Sequence, residues 1–524
     1  MASQSMTEED ALRTLHKLNP PNTPLWLEEL KKRYCQQTLD NTINFLERIG
    51  LKVEDLDGLN IIHVAGTKGK GSTCAFTEQI LRSHGFRTGF FSSPHLVSLR
   101  ERIRINGQPI GEELFTQHFW QIYRRLEETK DAHGGLMPLQ FAFLTVLAFQ
   151  VFLEQKVDVV VLEVGLGGGY DCTNIVRKPW VCGISSLGLD HIYVLGDTVE
   201  SIAWHKGSIF KPGVPAFTLK QSEGAMAVLK DRAIEIGCPL WVCPDLEDYQ
   251  VDGDPLELGL AGEHQRFNAS LALQLSHTWL LKMKSLKDGR CTSTSVENGR
   301  LLKGPAFKLS PVMVKGLADV EWTGRAQILK HGAVTYFLDG AHNMLSIQVC
   351  VDWFKAVSAQ HESGASGGVV KVLMLYTTEE RDAAALMKPL VQCDFDFAVF
   401  CPNLVESCHA DQETFDEKIS RSLDNEKSWR RYTGLEENLS PGAEKRRDAL
   451  VFPSILSALQ WIAQGRDSVV ADPAFPVSPA EPSITAKAAP LRDAAEIHVL
   501  VTGSLHLVGG VLKVFQLPPK KWNI

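Results

Sequence analysis

The chain has 524 residues, of which 44% are hydrophobic and 22% charged, and its formal net charge is −8. This length predicts two or more domains, and the composition is that of a soluble globular protein. The acidic balance, without a basic stripe, argues against nucleic acid as a partner. Eleven scattered cysteines without a C-x-x-C pair argue against a structural zinc site and favour reduced thiols in the cytoplasm.

The amino-terminal stretch contains Glu8, Glu9 and Asp10 and no apolar core. It therefore predicts neither a secretory signal nor an Arg-rich transit peptide. The most apolar stretch, around residues 143–153, is about half the length that spans a bilayer. We expect a soluble, cytoplasmic protein without a transmembrane segment, and a mitochondrial form would need a longer precursor.

Apolar runs typical of strands alternate with helical patterns along the chain, which predicts an α/β fold with parallel-rich sheets. The strand candidates are residues 60–64, 88–91, 157–162, 181–185, 334–338, 369–375, 397–400 and 497–501. A polar stretch between Lys282 and Pro311 predicts a boundary near residue 315, with domains over 1–315 and 316–524. We expect mobile surface insertions at 433–448 and 467–493, which are charged or proline-rich with little to bury.

The stretch GTKGKGST, residues 66–73, links the first strand candidate to a helical pattern. A glycine loop at such a junction presents backbone N–H groups and the positive end of a helix dipole to an anion. The residues predicted to hold nucleotide phosphates are Gly66, Thr67, Lys68, Gly69, Lys70, Gly71 and Ser72. Lys70 would neutralise phosphate oxygens, and a hydroxyl at Ser72 or Thr73 would reach a magnesium ion. The spacing differs from the usual G-x-x-x-x-G-K-[ST], because Gly71 separates Lys70 from Ser72.

A second glycine-rich stretch, VLEVGLGGGYD, overlaps the end of the strand candidate 157–162. Glu163 stands at the end of this strand, where a carboxylate beside a phosphate loop is expected to bind Mg²⁺. A Rossmann dinucleotide loop is the alternative, but Tyr170 stands where its third glycine would be, so a dehydrogenase is not predicted. His191 follows the next strand candidate. A lone histidine is more often an ordinary hydrogen-bonded residue than a metal ligand.

The sequence HVAGTKGKGS resembles the Mur-ligase superfamily of ATP-dependent amide ligases, and within it the folylpolyglutamate synthases of the folate branch. The resemblance extends over residues 28–513 and includes SSPHL, RERIRING, GEHQRFN, GRAQIL and FLDGAHN. It implies an amino-terminal P-loop ATPase-type domain with a parallel-rich sheet and the folate site, followed by a smaller Rossmann-like glutamate-ligase domain. Two stretches, 138–145 and 373–382, differ from the family pattern.

The resemblance also implies roles for individual residues. Four residues would bind Mg²⁺: Ser93, Glu163, His191 and Lys206. Four others would contact ATP: Gln265, Asn268, Arg325 and Asp339. Three arginines would lie near an acidic substrate: Arg100, Arg102 and Arg104. Lys206 would be carbamylated. The chemistry, and not the resemblance, suggests a role for His342: the attacking amine must be neutral, and His342, near Asp339, would orient or deprotonate it.

Together these features predict ATP-dependent addition of L-glutamate to the γ-carboxylate of a folate through an acyl phosphate. Lys70, Lys206 and His342 are the expected catalytic residues. ATP and Mg²⁺ are the expected cofactors, with K⁺ as a further candidate, and reduced folate and L-glutamate are the partners of a monomer. A dihydrofolate synthase or bifunctional relative shares every ATP-side motif. A P-loop kinase would not need a second domain that contacts ATP, and a non-catalytic relative would be expected to lack ligands that this sequence retains.

Overall fold

The computed structural model describes residues 7–19, 28, 31–252, 255–288, 302–362, 367–377, 383–406, 412–434, 448–473, 475 and 482–516. These residues form two compact α/β units, which confirms the predicted fold class. Unit 1 takes the described residues of Met1–His95, Leu99–Gly259 and Glu263–Glu321. Unit 2 takes those of Leu96–Ser98, Leu260–Gly262 and Trp322–Ile524.

The division between the units falls after Glu321, whereas the sequence predicted it near residue 315. The difference arises because the helix Pro311–Ala318 packs within unit 1 against the helix Lys70–Ser83. Met313 and Leu317 of the first helix are buried. A helix that buries an apolar face belongs to the core it covers, and the polar stretch before it does not mark the boundary.

Unit 1 is built on one nine-stranded sheet. Its strands are β1 (Ile62–Ala65), β2 (Thr88–Phe91), β3 (Ile103–Ile105), β4 (Gln108–Pro109), β5 (Val159–Glu163), β6 (Val181–Ile184), β7 (Ala216–Thr218), β8 (Leu240–Val242) and β9 (Leu302–Lys303). The order in the sheet is β4-β3-β2-β5-β1-β6-β7-β8-β9, and all neighbours are parallel except for β3 and β4 at one edge. Every residue of β1, β2, β5 and β6 is buried, as expected for parallel strands that helices cover on both faces.

The helices of unit 1 are Glu8–Lys17, Gln36–Arg48, Lys70–Ser83, Glu112–Thr129, Gln140–Glu154, Ile192–Leu195, Val199–Gly207, Glu223–Ile236, His264–Lys287 and Pro311–Ala318. Short 3-10 segments lie at Val53–Leu59, Leu99–Arg102, Asp131–His133, Cys172–Ile175 and Leu246–Asp248. The most apolar stretch of the sequence lies in the helix Gln140–Glu154, which is buried from Ala142 to Phe152. Among the described residues of the whole chain, no helix combines the length and apolar character needed to cross a membrane.

Unit 2 is built on a six-stranded sheet. Its strands are β10 (Gln327–His331), β11 (Val334–Leu338), β12 (Val369–Leu375), β13 (Phe397–Phe400), β14 (Asp448–Val451) and β15 (Glu496–Thr502). The order is β10-β11-β15-β12-β13-β14, and only the β10–β11 pair is antiparallel. Its helices are Met344–Glu362, Ala383–Leu390, Gln412–Thr433, Ile455–Ala463, Pro482–Ala486, Ala489–Asp493 and Leu505–Gln516, with a 3-10 turn at Val391–Cys393.

Helices cover both faces of this second sheet. Val372 and Met374 of β12 enter one apolar core, which contains residues of the helices Ile455–Ala463 and Leu505–Gln516. Leu373 and Leu375 enter the other core, with residues of the helices Met344–Glu362 and Ala383–Leu390. Because successive side chains of a strand point to opposite faces, this alternation identifies a doubly covered, Rossmann-like sheet.

Each strand candidate of the sequence is confirmed within two residues, for example 157–162 against Val159–Glu163. Among the strands that were missed, β3 and β4 have three and two residues, and charged residues interrupt the apolar patterns of β3 and of the five-residue β10. The expectation of a mobile insertion does not hold for the described part of 467–493. There the chain forms the two helices Pro482–Ala486 and Ala489–Asp493, and it buries Val470, Ala488 and Leu491 in a core. Residues 435–447 and 476–481 lie outside the described part of the chain.

Candidate active site

Four adjacent parallel strands of unit 1, β2, β5, β1 and β6, end at the same edge of the sheet. The register places Val64 of β1 beside Glu163 of β5. The first glycine loop, residues 66–72, follows β1, while Ser93 follows β2 and His191 follows β6. Residues predicted from separate motifs are therefore gathered where ligands of α/β proteins bind, at the carboxyl ends of the strands.

At two positions of the first glycine loop, neighbouring side chains leave no room for a side chain larger than that of glycine. Gly66 has φ 154°, and a Cβ there would lie 1.9 Å from Oγ of Ser185. Gly69 has φ 83° and caps the helix Lys70–Ser83, and a Cβ there would lie 2.2 Å from Oδ1 of Asn268. The loop thus passes between two polar side chains in a conformation that other residues adopt only with strain.

Some backbone N–H groups of the first glycine loop already donate hydrogen bonds within the protein. The N–H groups of Thr67 and Lys68 both donate to the carbonyl of Ser186, at 2.9 and 3.1 Å, and Oγ1 of Thr67 donates to the carbonyl of Gly188 at 3.0 Å. Helix geometry leaves the N–H groups of the first turn, residues 70–72, without an intrahelical acceptor. The N–H groups suited to a phosphate therefore belong to the start of the helix, and Thr67 and Lys68 fix the loop.

Two lysines from distant motifs meet at one atom of this loop. Nζ of Lys70 donates to the carbonyl of Gly66 at 3.0 Å, and Nζ of Lys206 donates to the same oxygen at 2.7 Å. Lys206 is 3% exposed. Burial lowers the pKa of Lys206 well below its usual value, and the nearby charge of Lys70 lowers it further. The structure thus brings together the two predicted catalytic lysines.

The loop after β6 adds to the site a carboxylate that was not predicted from the sequence. Asp190 is buried, and its Oδ2 forms an ion pair with Nζ of Lys68 at 3.1 Å. The adjacent His191 has φ 51°, and its side chain is exposed. An acidic residue directly before the predicted histidine was the available clue to Asp190. The role of His191 as a metal ligand stays a prediction.

Glu163 and Ser93 are direct neighbours, as the predicted metal site requires. The backbone N–H of Ser93 donates to Oε2 of Glu163 at 3.2 Å, and Glu163 is buried. Burial lowers the pKa of Arg102 to about 10, and the charge of Glu163 opposes that shift. Within the described residues, no cluster of three or more His, Cys, Asp or Glu side chains suits a metal ion. The donors at this edge are a carboxylate and hydroxyls, which fit Mg²⁺ that keeps waters and phosphates as its other ligands.

A third buried carboxylate closes the second glycine loop, residues 165–169. Asp171 accepts hydrogen bonds from the N–H of Leu166 at 2.8 Å and from the N–H and Oγ1 of Thr173 at 3.0 and 2.6 Å. Burial raises the pKa of Asp171. Oγ1 of Thr173 also lies 2.9 Å from Nε2 of His63 in β1. The loop is thus tied into the core, and it follows Glu163 as a rigid turn.

Gln265 and Asn268 lie beside the first glycine loop, at the start of the helix His264–Lys287. Both side chains are buried, and Nδ2 of Asn268 donates to Oε1 of Gln265 at 2.9 Å. Asn268 is the residue that a side chain at Gly69 would strike. Their predicted place next to a bound nucleotide agrees with this position, and contact with ATP stays a prediction.

The three arginines expected near an acidic substrate each make a contact within the protein. Nε of Arg100 donates to Oε1 of Glu8 at 2.8 Å. Nε of Arg102 donates to Nδ1 of His95 at 3.0 Å, and Nε of Arg104 donates to the carbonyl of residue 101 at 3.1 Å. These contacts hold the segment after β2, and the predicted role of the arginines near a substrate stays a prediction.

In unit 2, the predicted ATP and amine residues lie in loops at the carboxyl end of β11 and before β10. Asp339 accepts hydrogen bonds from the N–H groups of Ala326 and Ala341, each at 2.9 Å.

Nδ1 of His342 donates to the carbonyl of Gly340 at 2.8 Å, which leaves Nε2 as the basic nitrogen of the neutral ring. Arg325 lies close by, with Nη1 2.9 Å from where a Cβ on Gly340 would be. Residues 378–382 of the divergent stretch lie outside the described part of the chain.

Replacing Glu163 by glutamine is expected to raise the Mg²⁺ concentration needed for half-maximal activity by about tenfold or more, because a neutral amide is a weaker ligand for a hard cation. Activity measured across a Mg²⁺ titration tests this. Glu78→Gln is the matched control, since it removes another buried carboxylate of unit 1, one that Thr88 and Arg82 contact. An unchanged Mg²⁺ requirement in Glu163→Gln would rule out Glu163 as a ligand.

A glycine loop between a buried strand and a helix, with a lysine in the first turn of the helix and a carboxylate at the end of the neighbouring strand of the sheet, defines a P-loop nucleotide-binding domain. No protein-family model matches the chain. It is 51% identical over 544 residues to the mitochondrial folylpolyglutamate synthase of Bos taurus, covering 98% of this chain and 92% of the relative. It is also 51% identical over 547 residues to the mitochondrial folylpolyglutamate synthase of Homo sapiens, with the same coverage. This chain belongs to the folylpolyglutamate synthase family.

Solved structures share the fold. The folylpolyglutamate synthase of Thermotoga maritima matches with a TM-score of 0.65 and 22% identity, over 99% of each chain. The Mycobacterium tuberculosis enzyme complexed with ADP matches with a TM-score of 0.67 and 21% identity, over 97% of this chain and 99% of that one. At these identities the likeness shows the fold alone, and it agrees with the α/β fold class of the two units.

Proposed function

We propose that this protein adds L-glutamate to the γ-carboxylate of a reduced folate in a reaction driven by ATP. The observation that carries the proposal is the meeting of Lys70 and Lys206 at the carbonyl of Gly66, on the same sheet edge as Glu163. The ammonium of Lys70 at a helix N-terminus suits the phosphates of ATP, and the carboxylate of Glu163 with the carbamate proposed for Lys206 suits the metal. Membership of the family supplies the substrate class.

The chemistry follows from the weakness of a carboxylate as an electrophile. The γ-carboxylate of the folate attacks the γ-phosphorus of ATP, and the bond from that phosphorus to the β–γ bridging oxygen breaks. The products of this step are ADP and an acyl phosphate of the folate. The amine of L-glutamate then attacks the acyl carbon, inorganic phosphate leaves, and the amide forms. The ammonium of Lys70 and the N–H groups of residues 70–72 stabilise the charge on the phosphoryl oxygens throughout.

Mg²⁺, when bound, neutralises charge on the phosphates. The proposed ligands are Ser93, Glu163, His191 and the carbamate of Lys206, all from unit 1. His342 of unit 2 takes the proton of the attacking amine on Nε2, because the carbonyl of Gly340 holds the other ring nitrogen as a donor.

Arg325 and Asp339 are proposed to contact ATP from unit 2. Arg325→Ala is expected to raise KM for ATP about 10-fold or more, because a hydrogen bond from a charged group is lost. KM for folate should change little. Steady-state kinetics with each substrate varied in turn measure this. The control is Arg431→Ala, which truncates an exposed arginine of the same unit. A change confined to the folate KM would reverse the roles assigned to the two units.

The experiment that tests the activity follows labelled L-glutamate and ADP together. We expect one glutamate incorporated per ADP, with tetrahydrofolate as acceptor and with no ADP formed unless folate and glutamate are both present. Incorporation into dihydropteroate would identify the alternative, a dihydrofolate synthase or bifunctional enzyme. ADP formed with folate but without glutamate incorporation would point to a kinase.

Further proposals concern cofactors, assembly and location. We propose a monomer that uses Mg²⁺, with K⁺ as an activating monovalent cation. The proposed location is the cytoplasm, with a mitochondrial form made from a longer precursor. The names of the Bos taurus and Homo sapiens relatives, both mitochondrial, support that second form. Replacing K⁺ by Na⁺ in the assay and measuring the mass in solution test the first two points.

A further inference from the structure

Tyr34 contacts the site although it lies far from every motif in the sequence. Its hydroxyl donates to the carbonyl of Leu166 at 3.0 Å and accepts the N–H of Gly168 at 3.0 Å. Both contacts fall on the second glycine loop, just after Glu163. A phenol hydroxyl can donate one hydrogen bond and accept others, so this hydroxyl bridges two backbone groups of the turn.

The ring of Tyr34 connects the same loop to the helix Val199–Gly207. Its centroid lies 5.5 Å from those of Tyr170 and His205. The carbonyl of His205 accepts the N–H of Gly169 at 2.9 Å, and Lys206 is the next residue. Burial raises the pKa of Tyr34, so the hydroxyl keeps its proton at neutral pH and remains a donor.

We propose that Tyr34 is a positioning residue, whose hydroxyl holds the second glycine loop in the conformation that sets Glu163 and Lys206 around the metal. The proposal rests on the proposed function, in which those two residues bind Mg²⁺. Glu163 enters the loop from β5, and the backbone before Lys206 is bonded to its far end. A shift of this loop would therefore move both groups, whereas Thr67 and Lys68 of the first glycine loop are held by the carbonyl of Ser186.

The test is Tyr34→Phe, which keeps the ring and removes the hydroxyl. Without it the carbonyl of Leu166 and the N–H of Gly168 lose a partner, so the turn relaxes. We expect the affinity for a Mg²⁺-bound, non-hydrolysable ATP analogue, measured by calorimetry at limiting Mg²⁺, to fall about tenfold, as for other residues that orient metal ligands. Saturating Mg²⁺ should restore it.

The matched control is Tyr336→Phe in unit 2. Tyr336 is also buried, and its hydroxyl donates to Oδ2 of Asp467 at 2.8 Å. It should lower the melting temperature about as much as Tyr34→Phe while leaving the Mg²⁺ dependence unchanged. An equal loss of affinity at limiting Mg²⁺ in both variants, or no loss in either, would overturn the proposal.

A second route to the same loop uses Gly167, which has φ 60°. A Cβ there would lie 2.1 Å from the hydroxyl oxygen of Tyr34, so Gly167→Ala should displace the tyrosine and raise the Mg²⁺ requirement. Adding Tyr34→Phe to Gly167→Ala should cause no further rise, because the shared contact is already lost. Fully additive effects would contradict the proposal. Calorimetry needs neither folate nor turnover, so its result stands apart from the substrate assignment.

Discussion

Lys70→Ala is expected to lower kcat by a factor on the order of 10²–10³, the usual loss when a group that stabilises transition-state charge is removed. Lys70 begins the helix Lys70–Ser83, and its Nζ contacts the first glycine loop through the carbonyl of Gly66. The ammonium acts on phosphate and contributes little to packing, so the fold should remain intact. The measurements are the rate of glutamate incorporation and the thermal unfolding curve of each variant.

Lys178→Ala is the control, because Lys178 is 72% exposed and forms an ion pair with Asp57. It should keep wild-type turnover. Retained activity in Lys70→Ala, with unfolding unchanged, would contradict the assignment of the first glycine loop to ATP phosphates.

Lys206→Gln is expected to abolish most activity, since it removes the nitrogen that carbon dioxide would modify. An ammonium beside Lys70 and a metal ion would be repelled, whereas a carbamate is an anionic oxygen donor of the kind that Mg²⁺ prefers. The buried amine donates to the carbonyl of Gly66 at 2.7 Å, and burial lowers its pKa, which favours the neutral form that reacts with carbon dioxide. Added acetate should restore part of the activity of Lys206→Gln. The variant Lys206→Glu, whose side chain supplies a carboxylate, should itself be partly active.

Bicarbonate provides the discriminating measurement. Wild-type protein stripped of carbon dioxide should lose activity and recover it with bicarbonate, and Lys206→Gln should not respond. Lys211→Gln is the control, because Lys211 is another lysine of unit 1 whose pKa burial lowers, and its Nζ donates to the carbonyl of Asn174 at 3.3 Å. A high-resolution map of the complex with Mg²⁺ and nucleotide that shows a bare amine at Lys206 would contradict carbamylation.

The sequence by itself determined the features that depend on neighbours in the chain. The apolar run before residue 66, the glycines and the helical pattern after them predict a strand, a loop and a helix, and the structure has all three. The position of Glu163 at the end of β5 was likewise readable, because a strand ends where its apolar pattern ends. The α/β class and the positions of eight of the fifteen strands required nothing more, whereas the binding of phosphate by the loop stays a prediction.

Only the tertiary structure decided which polar groups meet. The contact of Lys206 with Gly66 joins residues 140 positions apart, and Tyr34 reaches Gly168 across 134. The pairing of Asp190 with Lys68 and the internal partners of Arg100 and Arg102 depend in the same way on strand order and helix packing. A charged side chain looks the same in sequence whether it faces a substrate or a buried partner. Its role is set by the distances that the fold creates, because hydrogen bonds and ion pairs act over a few ångströms.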